Sequence, residues 1–198
     1  MTVLIHVTMS LDGFIADSDG NLDWALDFGR ASAADISEIT ASITASIGAT
    51  LGGRRGYDLA VKEGHQVYGG AWRGPQFVLT HRPADIPADP SFTFLSCGIR
   101  EAVATAAAAA GDKDVVVLGA SIAQQCLAED LVDEMLIHLL PIVLGSGIAL
   151  FGGPLFGGPP HQPIPLRLAR CDQSGDIATL RFTRPQSQDA RSHSQRPN

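Results

Sequence analysis

The sequence predicts one α/β domain, with helices on both faces of a mixed, mostly parallel sheet that ends in an antiparallel edge. Three features carry this. Short β-branched apolar runs alternate with helix-patterned segments. Two of those runs, LGG at 51–53 and VVVLG at 115–119, pass through glycine straight into a helix pattern. The last patterned stretch, LRLARCDQSGDIATLRFTR, reads as a hairpin turning at Ser174-Gly175.

Element by element, VLIHVTM (Val3 to Met9) is a buried central strand. SLDGFIADSDGNLDW, dense in Asp, Gly and Asn, is a long turn-rich loop. Residues 33–46 form a helix, with Ile36, Ile39, Ile43 and Ile47 at helical spacing. GATLGG is a short strand and RRGYDLAVK a short helix directly after it. QFVLT (Gln76 to Thr80) and FTFLS (Phe92 to Ser96) are strands. IREAVATAAAAAG is an alanine-rich helix stopped by Gly111. DVVVLG is a buried strand, ASIAQQCLAE the next helix, and LVDEMLIHLLPIVLG one long strand with a proline near its end. The domain spans 1–185; residues 186–198 are polar and expected to be a disordered tail.

The chain has 198 residues, 45% hydrophobic and 18% charged, which suits a globular domain with a substantial core. Its formal net charge of −7 argues against nucleic acid, which needs a basic face. The cysteines, Cys97, Cys126 and Cys171, are odd in number and lack CxxC spacing, so neither a disulfide framework nor a zinc site is expected. A reducing, cytoplasmic setting follows. The N-terminus lacks a signal-peptide pattern, and MLIHLLPIVLG is interrupted by His138 and Pro141, so no membrane association is expected.

Chemistry concentrates where strands meet helices. A helix start presents free backbone N–H groups and a positive dipole end, and glycine lets an anion approach. LGGRRGYD and VVVLGASIAQQ each have this form, and Ser121 can cap its helix or bond a phosphate. Neither is GxxxxGK[ST] or GxGxxG, and a tight turn with a capped helix is the plainer alternative. Arg54 and Arg55 tilt the balance. Cations at a helix start are disfavoured by the dipole unless an anion neutralises them. LTHRP adds Thr80, His81 and Arg82 at a third strand end. One diphosphate plus one further phosphate would use all three places, a layout that favours NADPH over NADH.

MSLDGFIAD, GGRRGYD, VLTHRP and VVVLGASIAQQCLAEDLVDEMLIHLLPIVLGSGIALF, in this order, resemble the family that joins dihydrofolate reductase to the reductase domain of riboflavin biosynthesis. SLDG and the LVDE…P.LG.G..LF segment point to the riboflavin-type branch. The resemblance covers residues 3–184 and implies a three-layer, dihydrofolate reductase-like fold with NADPH across the strand ends. It implies that Gly53, Arg54 and Arg55 meet the 2′-phosphate and diphosphate and that Thr80, His81 and Arg82 flank the adenosine phosphate. It gives Gly119, Ala120, Ser121 and Ile122 to the diphosphate, and Thr8, Ile15 and Ala16 to the nicotinamide. The chain departs from the family pattern at Gly56, usually threonine, and at Ala120, usually a second glycine. A homodimer is also expected, with residues 141–158 either contributing their apolar surface to its interface or forming a packed loop.

Hydride transfer needs a proton for the other atom of the reduced bond, and a part-buried carboxylic acid can relay one. In bacterial dihydrofolate reductases an acid follows the loop tryptophan by five positions. Here Gly29 holds that position after Trp24, so Asp27 is the first candidate and Asp12 the second, although Asp before Gly commonly makes a turn. On the substrate side stand Trp24, Trp72 and His6. By alternation His6 shares a face with Leu4 and Thr8, and it either lines a pterin pocket or is a hydrogen-bonded core histidine. Trp72 either stacks on a planar substrate or anchors its loop. His138 reads as structural. Riboflavin-type reductases carry a basic residue just after SLDG and an acid just before the glycine turn. Phe14 and Leu118 stand there instead, and no HxE…CxxC deaminase set occurs, so a substrate other than the riboflavin intermediate is expected. The expected partner is therefore a small planar heterocycle. The alternatives are a non-catalytic NADP(H)-binding protein on the same fold and, more remotely, a hydrolase using Ser121, whose flanks are not GxSxG.

Overall fold

The computed structural model describes residues 1–26, 41, 43–82, 90–152 and 163–185. Asp27, most of the helix expected at 33–46, the apolar stretch 153–158 and the 186–198 tail lie outside the described residues. Ten strands are described: β1 (Val3–Ser10), β2 (Phe14–Ala16), β3 (Ile47–Gly53), β4 (Gln76–Leu79), β5 (Phe92–Leu95), β6 (Asp114–Leu118), β7 (Glu134–Leu140), β8 (Ile148–Ala149), β9 (Arg167–Ser174) and β10 (Ile177–Thr183). Helices α1 (Arg54–Glu63), α2 (Ile99–Ala110) and α3 (Ala120–Ala128) follow β3, β5 and β6. Residues 43–46 are also helical.

Eight strands form one sheet in the order β5-β4-β3-β6-β1-β7-β10-β9. The pairs from β5 through β7 are parallel, and β10 runs antiparallel to both β7 and β9. This is the expected mixed sheet with an antiparallel edge. The parallel strands are apolar on both faces because both faces are covered. Val3, Ile5, Val7, Ala49, Leu51, Val115 and Val117 pack under α2 and α3. Leu4, Val116 and Leu136 pack with Ile43 and Ile47 on the other face. The alanines of α2, Ala102, Ala106 and Ala110, are buried, so the helix lies close to the sheet. Tyr57 of α1 sits edge-on to Phe92 and Phe94, which face away from Leu95 and the larger cluster.

Three expectations are corrected. Ile47 is the first residue of β3 rather than a helix residue, because the chain has already turned into the sheet there. The stretch 131–145 is not one long strand. β7 ends at Leu140, before Pro141, which has no N–H to continue a ladder. Inside the long loop, Phe14–Ala16 forms a strand that pairs with β8 in a second, two-stranded sheet. That pairing requires a glycine: at Gly147, φ +151°, a Cβ would overlap the Ala16 carbonyl oxygen.

Candidate functional site

The carboxyl ends of the parallel strands open into a cleft of about 2240 Å³, well above the few hundred Å³ typical of a single small ligand. Its floor and walls include His6 and Thr8 of β1, Ile15 and Ala16 of β2, and Gly53, Arg54 and Arg55 at the start of α1. Thr80, His81 and Arg82 after β4, Gly119 to Ile122 at the start of α3, and Trp72 complete the set. Residues spread over more than 110 positions of sequence thus meet because β3, β6 and β1 are neighbours in the sheet.

Two helices start on this cleft, and among the described residues no side chain caps either one. Their first-turn N–H groups and dipole ends are set up for an anion. Gly119 holds φ +85° and ψ 149°, a conformation reserved for glycine, and apart from its own chain neighbours no heavy atom of the described residues lies within 4 Å of where its Cβ would be. That open space over a helix start is a cradle of the kind a diphosphate fills. Ala120, the next residue, is buried and also lines the cleft. At Gly56, too, nothing described lies within 4 Å of where a Cβ would sit, so the missing threonine leaves room rather than a clash.

The two arginines are not equivalent. The Arg54 Nε donates to Asp58 Oδ1 at 2.6 Å, one turn along its own helix. Arg55 is exposed and lies against Gly20, where an added Cβ would sit 3.4 Å from the Arg55 Nη2. Gly20 is held by the Asp17 carboxylate, whose Oδ1 accepts from the backbone N–H groups of Asp19, Gly20 and Asn21 at 2.8–2.9 Å. Those bonds, Asn21 first, hold the Asp17 carboxyl below its ordinary range. Thr80 is buried and its Oγ1 accepts from the Arg82 N–H at 3.1 Å, turning the chain so that His81 and Arg82 are exposed at the rim.

His6 lies between two partners: its Nδ1 is 2.7 Å from the Tyr68 hydroxyl and its Nε2 is 2.8 Å from Nε2 of His138. His138 Nδ1 is 2.9 Å from Thr179 Oγ1. Burial, and then the neighbouring His138, pull the His6 pKa down to about 3. Burial alone pulls His138 to about 4 and pushes the Tyr68 phenol up. Trp72 lines the cleft and is also anchored, its Nε1 donating to the Ile47 carbonyl at 3.2 Å.

Two candidates do not reach the cleft. Asp12 is exposed and its carboxylate accepts from the Ser10 hydroxyl at 2.6 Å and from the N–H groups of Leu144 and Gly145 at 3.1 and 2.7 Å. The Ser10 bond leads in holding its carboxyl below the ordinary range, and the geometry is that of a loop clamp. Trp24 is absent from the lining, and its buried indole N–H has no acceptor among the described residues. The Ser121 hydroxyl is bonded by Gln125 Nε2, at 3.4 Å, an amide that cannot act as a base.

Sequence reasoning missed Tyr68 and Gln124. Gln124 lines the cleft, and its Nε2 donates to the carbonyls of Ala149, Leu150 and Gly152 at 3.0–3.2 Å, tying α3 to the β8 loop. Nothing in ASIAQQ marks one glutamine over the other except that Gln124 falls on the buried side of α3. Among the described residues no group of three His, Cys, Asp or Glu could hold a metal, and no helix is long and apolar enough to cross a membrane.

A family model, the RibD C-terminal domain, matches residues 1–179. YwjB, an uncharacterized protein of Bacillus subtilis (strain 168), is 31% identical over 185 residues, covering 91% of this chain and 97% of that protein. A putative riboflavin biosynthesis protein from Shewanella sp. PV-4 superposes with a TM-score of 0.75 at 22% identity, covering 94% of this chain and 100% of that one. The diaminohydroxyphosphoribosylaminopyrimidine deaminase/5-amino-6-(5-phosphoribosylamino)uracil reductase of Thermotoga maritima superposes with a TM-score of 0.67 at 14% identity, over 93% of this chain and 56% of that one. At these identities the solved structures speak for the fold.

Proposed function

The chain belongs to the RibD C-terminal domain family, and we propose that it is an NADPH-dependent reductase of a planar, pterin-like or other conjugated heterocycle. One observation carries this: a single cleft gathers two uncapped helix starts, the cradle over Gly119, the exposed Arg55, His6 and Trp72. NADPH, when bound, would supply a hydride. The residues for it are Gly119 to Ile122 and Gly53 for the diphosphate, Arg55 with Arg54, His81 and Arg82 for the remaining phosphate, and Thr8, Ile15 and Ala16 beside the nicotinamide. Oriented N–H groups and guanidinium donors bind phosphate strongly because each bond is charge-assisted. Trp72 and His6 offer a planar, weakly polar surface to a heterocycle.

The substrate is not the phosphoribosylamino-pyrimidine of the riboflavin pathway. Leu118 stands at the cleft where the riboflavin-type pattern has an acid, and Phe14 stands where it has a base. Support for a homodimer comes from β9, which is exposed along nearly its whole length and carries Leu168 in the open.

Titration with NADPH and NADH, followed by tryptophan fluorescence, tests the cofactor, and NADPH oxidation over a panel of dihydropterins, folates and cyclic imines tests the reaction. Tighter binding of NADPH than NADH, with oxidation by one of these substrates, is the expected result. No binding of either dinucleotide defeats the proposal. Binding without consumption favours the non-catalytic NADP(H)-binding alternative, and efficient turnover of the phosphoribosylamino-pyrimidine refutes the substrate assignment.

A further inference from the structure

The chain Tyr68–His6–His138–Thr179 has heavy-atom separations of 2.7, 2.8 and 2.9 Å. A neutral imidazole carries one N–H and one lone-pair nitrogen. The central contact joins Nε2 to Nε2, so one ring donates and the other accepts. If His6 donates, its Nδ1 accepts from the Tyr68 hydroxyl, and His138 Nδ1–H donates to Thr179. If His138 donates, every bond reverses: the Thr179 hydroxyl donates to His138 Nδ1, and His6 Nδ1–H donates to the Tyr68 oxygen. With both rings neutral, no mixed arrangement satisfies all three contacts. Burial keeps both histidines neutral at ordinary pH, and for His6 the adjacent ring adds to it.

The chain also has two ends in different places. His6 lines the cleft, whereas Thr179, buried with 8% of its surface exposed, lies in register between His138 and Asp172, an exposed residue of the edge strand β9. Thr8, another cleft residue, is the register partner of His138 on β1. The charged groups nearest along these strands pair off: Asp172 with the Nε of Arg170 at 2.5 Å, and Glu134 with the Nε of Arg181 at 2.7 Å.

We propose that this chain is a proton relay: the two rings change tautomer together and keep a replaceable proton on His6, at the cleft floor, for the substrate atom that must gain one. Its use in reduction rests on the reductase reading above; its existence does not. In the state where His138 donates, His6 holds its proton on Nδ1. A C=N nitrogen that displaces the Tyr68 hydroxyl takes that proton, while the C=N carbon takes a hydride from a dihydronicotinamide that becomes the oxidised nicotinamide. The His6 Nδ1–H bond breaks and a substrate N–H bond forms. His138 Nε2–H passes its proton to His6 Nε2, Thr179 O–H passes its proton to His138 Nδ1, and water reprotonates Thr179. Both rings finish neutral, in the other allowed state, so no imidazolium has to form in a buried place.

The test is NMR of isotope-labelled histidine nitrogens in the full chain, comparing wild type, Thr179→Val, Thr179→Ser and Tyr68→Phe. An unsatisfied buried N–H costs more than an idle lone pair. Thr179→Val should therefore move His138 to the Nε2–H tautomer and carry His6 to Nδ1–H with it. Tyr68→Phe should move both rings the opposite way, and Thr179→Ser should behave as wild type. Rings that respond singly, or that titrate as imidazolium in wild type near neutral pH, overturn the relay. With NADPH and a dihydropterin, Thr179→Val should lower the reduction rate at least about tenfold while NADPH affinity stays within about twofold, and Thr179→Ser should restore the rate. An unchanged rate in Thr179→Val overturns proton delivery. A wild type that binds no NADPH sinks the reductase reading alone, with the tautomer coupling still decided by the NMR.

Discussion

Acidification from pH 8 to pH 5 should weaken this fold by an amount set by two rings. In the unfolded chain His6 and His138 titrate at 6.5, and in the fold at about 3 and about 4. A folded pKa below the unfolded one means that the unfolded chain binds more protons between those values. Stability is therefore full above pH 6.5, falls as the pH drops through that window, and levels off only below the folded values. At pH 5 each unfolded ring lies 1.5 pH units below its pKa of 6.5 while its folded counterpart is still neutral, a loss of about 2 kcal/mol per ring. His6 is half-buried, so solvent trims its share, and about 3 to 4 kcal/mol is expected for the pair. That is a large part of the roughly 5–15 kcal/mol that holds a domain of this kind together. Asp12 and Asp17 also favour their charged forms, but their loss begins at more acid pH, below 3.8. Urea unfolding followed by tryptophan fluorescence at pH 8, 6.5 and 5 measures the effect as a falling midpoint at constant m-value. In His138→Asn the slope between pH 6.5 and 5 should fall to about half. A wild-type stability that changes by less than about 1 kcal/mol across this range would mean that the rings are not held neutral by the fold.

Two further outcomes bear on the cofactor end of the cleft. Arg55→Ala should weaken NADPH binding about tenfold and narrow its preference over NADH, with a smaller effect for Arg54→Ala because Arg54 is bonded to Asp58. Equal affinity for NADPH in wild type and Arg55→Ala would return that arginine to plain surface charge. Gly119→Ala should cost about 1–3 kcal/mol, because only glycine holds φ +85° with ψ 149° at ease, and should also weaken NADPH binding by filling the open space over α3. Thermal unfolding and a dinucleotide titration measure the two effects separately, and an unchanged Tm refutes the strain.

Much of the fold was legible because it is written locally. Strand runs at 3–9, 76–80 and 114–119, the alanine helix stopped at Gly111, and the closing hairpin, whose turn falls at Gly175-Asp176, one residue beyond the expected Ser174-Gly175, each follow from periodicity and turn chemistry within a few residues. The glycine-led helix starts were legible for the same reason, since Gly53 and Gly119 sit beside the helices they open. Misreadings arose where a local rule met a distant partner. Phe14–Ala16 is a strand only because Ile148–Ala149 comes to pair with it, and nothing in a turn-rich loop announces that. Asp12 looked like an acid or a turn, and its choice was made by the N–H groups of Leu144 and Gly145, more than 130 residues away.

The sequence by itself determined the class of sheet, its antiparallel edge and the three strand ends that line the cleft, because backbone dihedrals and side-chain alternation are properties of neighbours along the chain. Tertiary structure decided what those ends do together. It inserted β6 between β3 and β1, which brings the starts of α1 and α3 to one opening. It also joined His6 to Tyr68, 62 residues on, and to His138, 132 residues on, turning a histidine that read as structural into part of a continuous chain of hydrogen bonds. Strand order and cross-strand register govern such meetings, and neither is encoded within the span of any single motif.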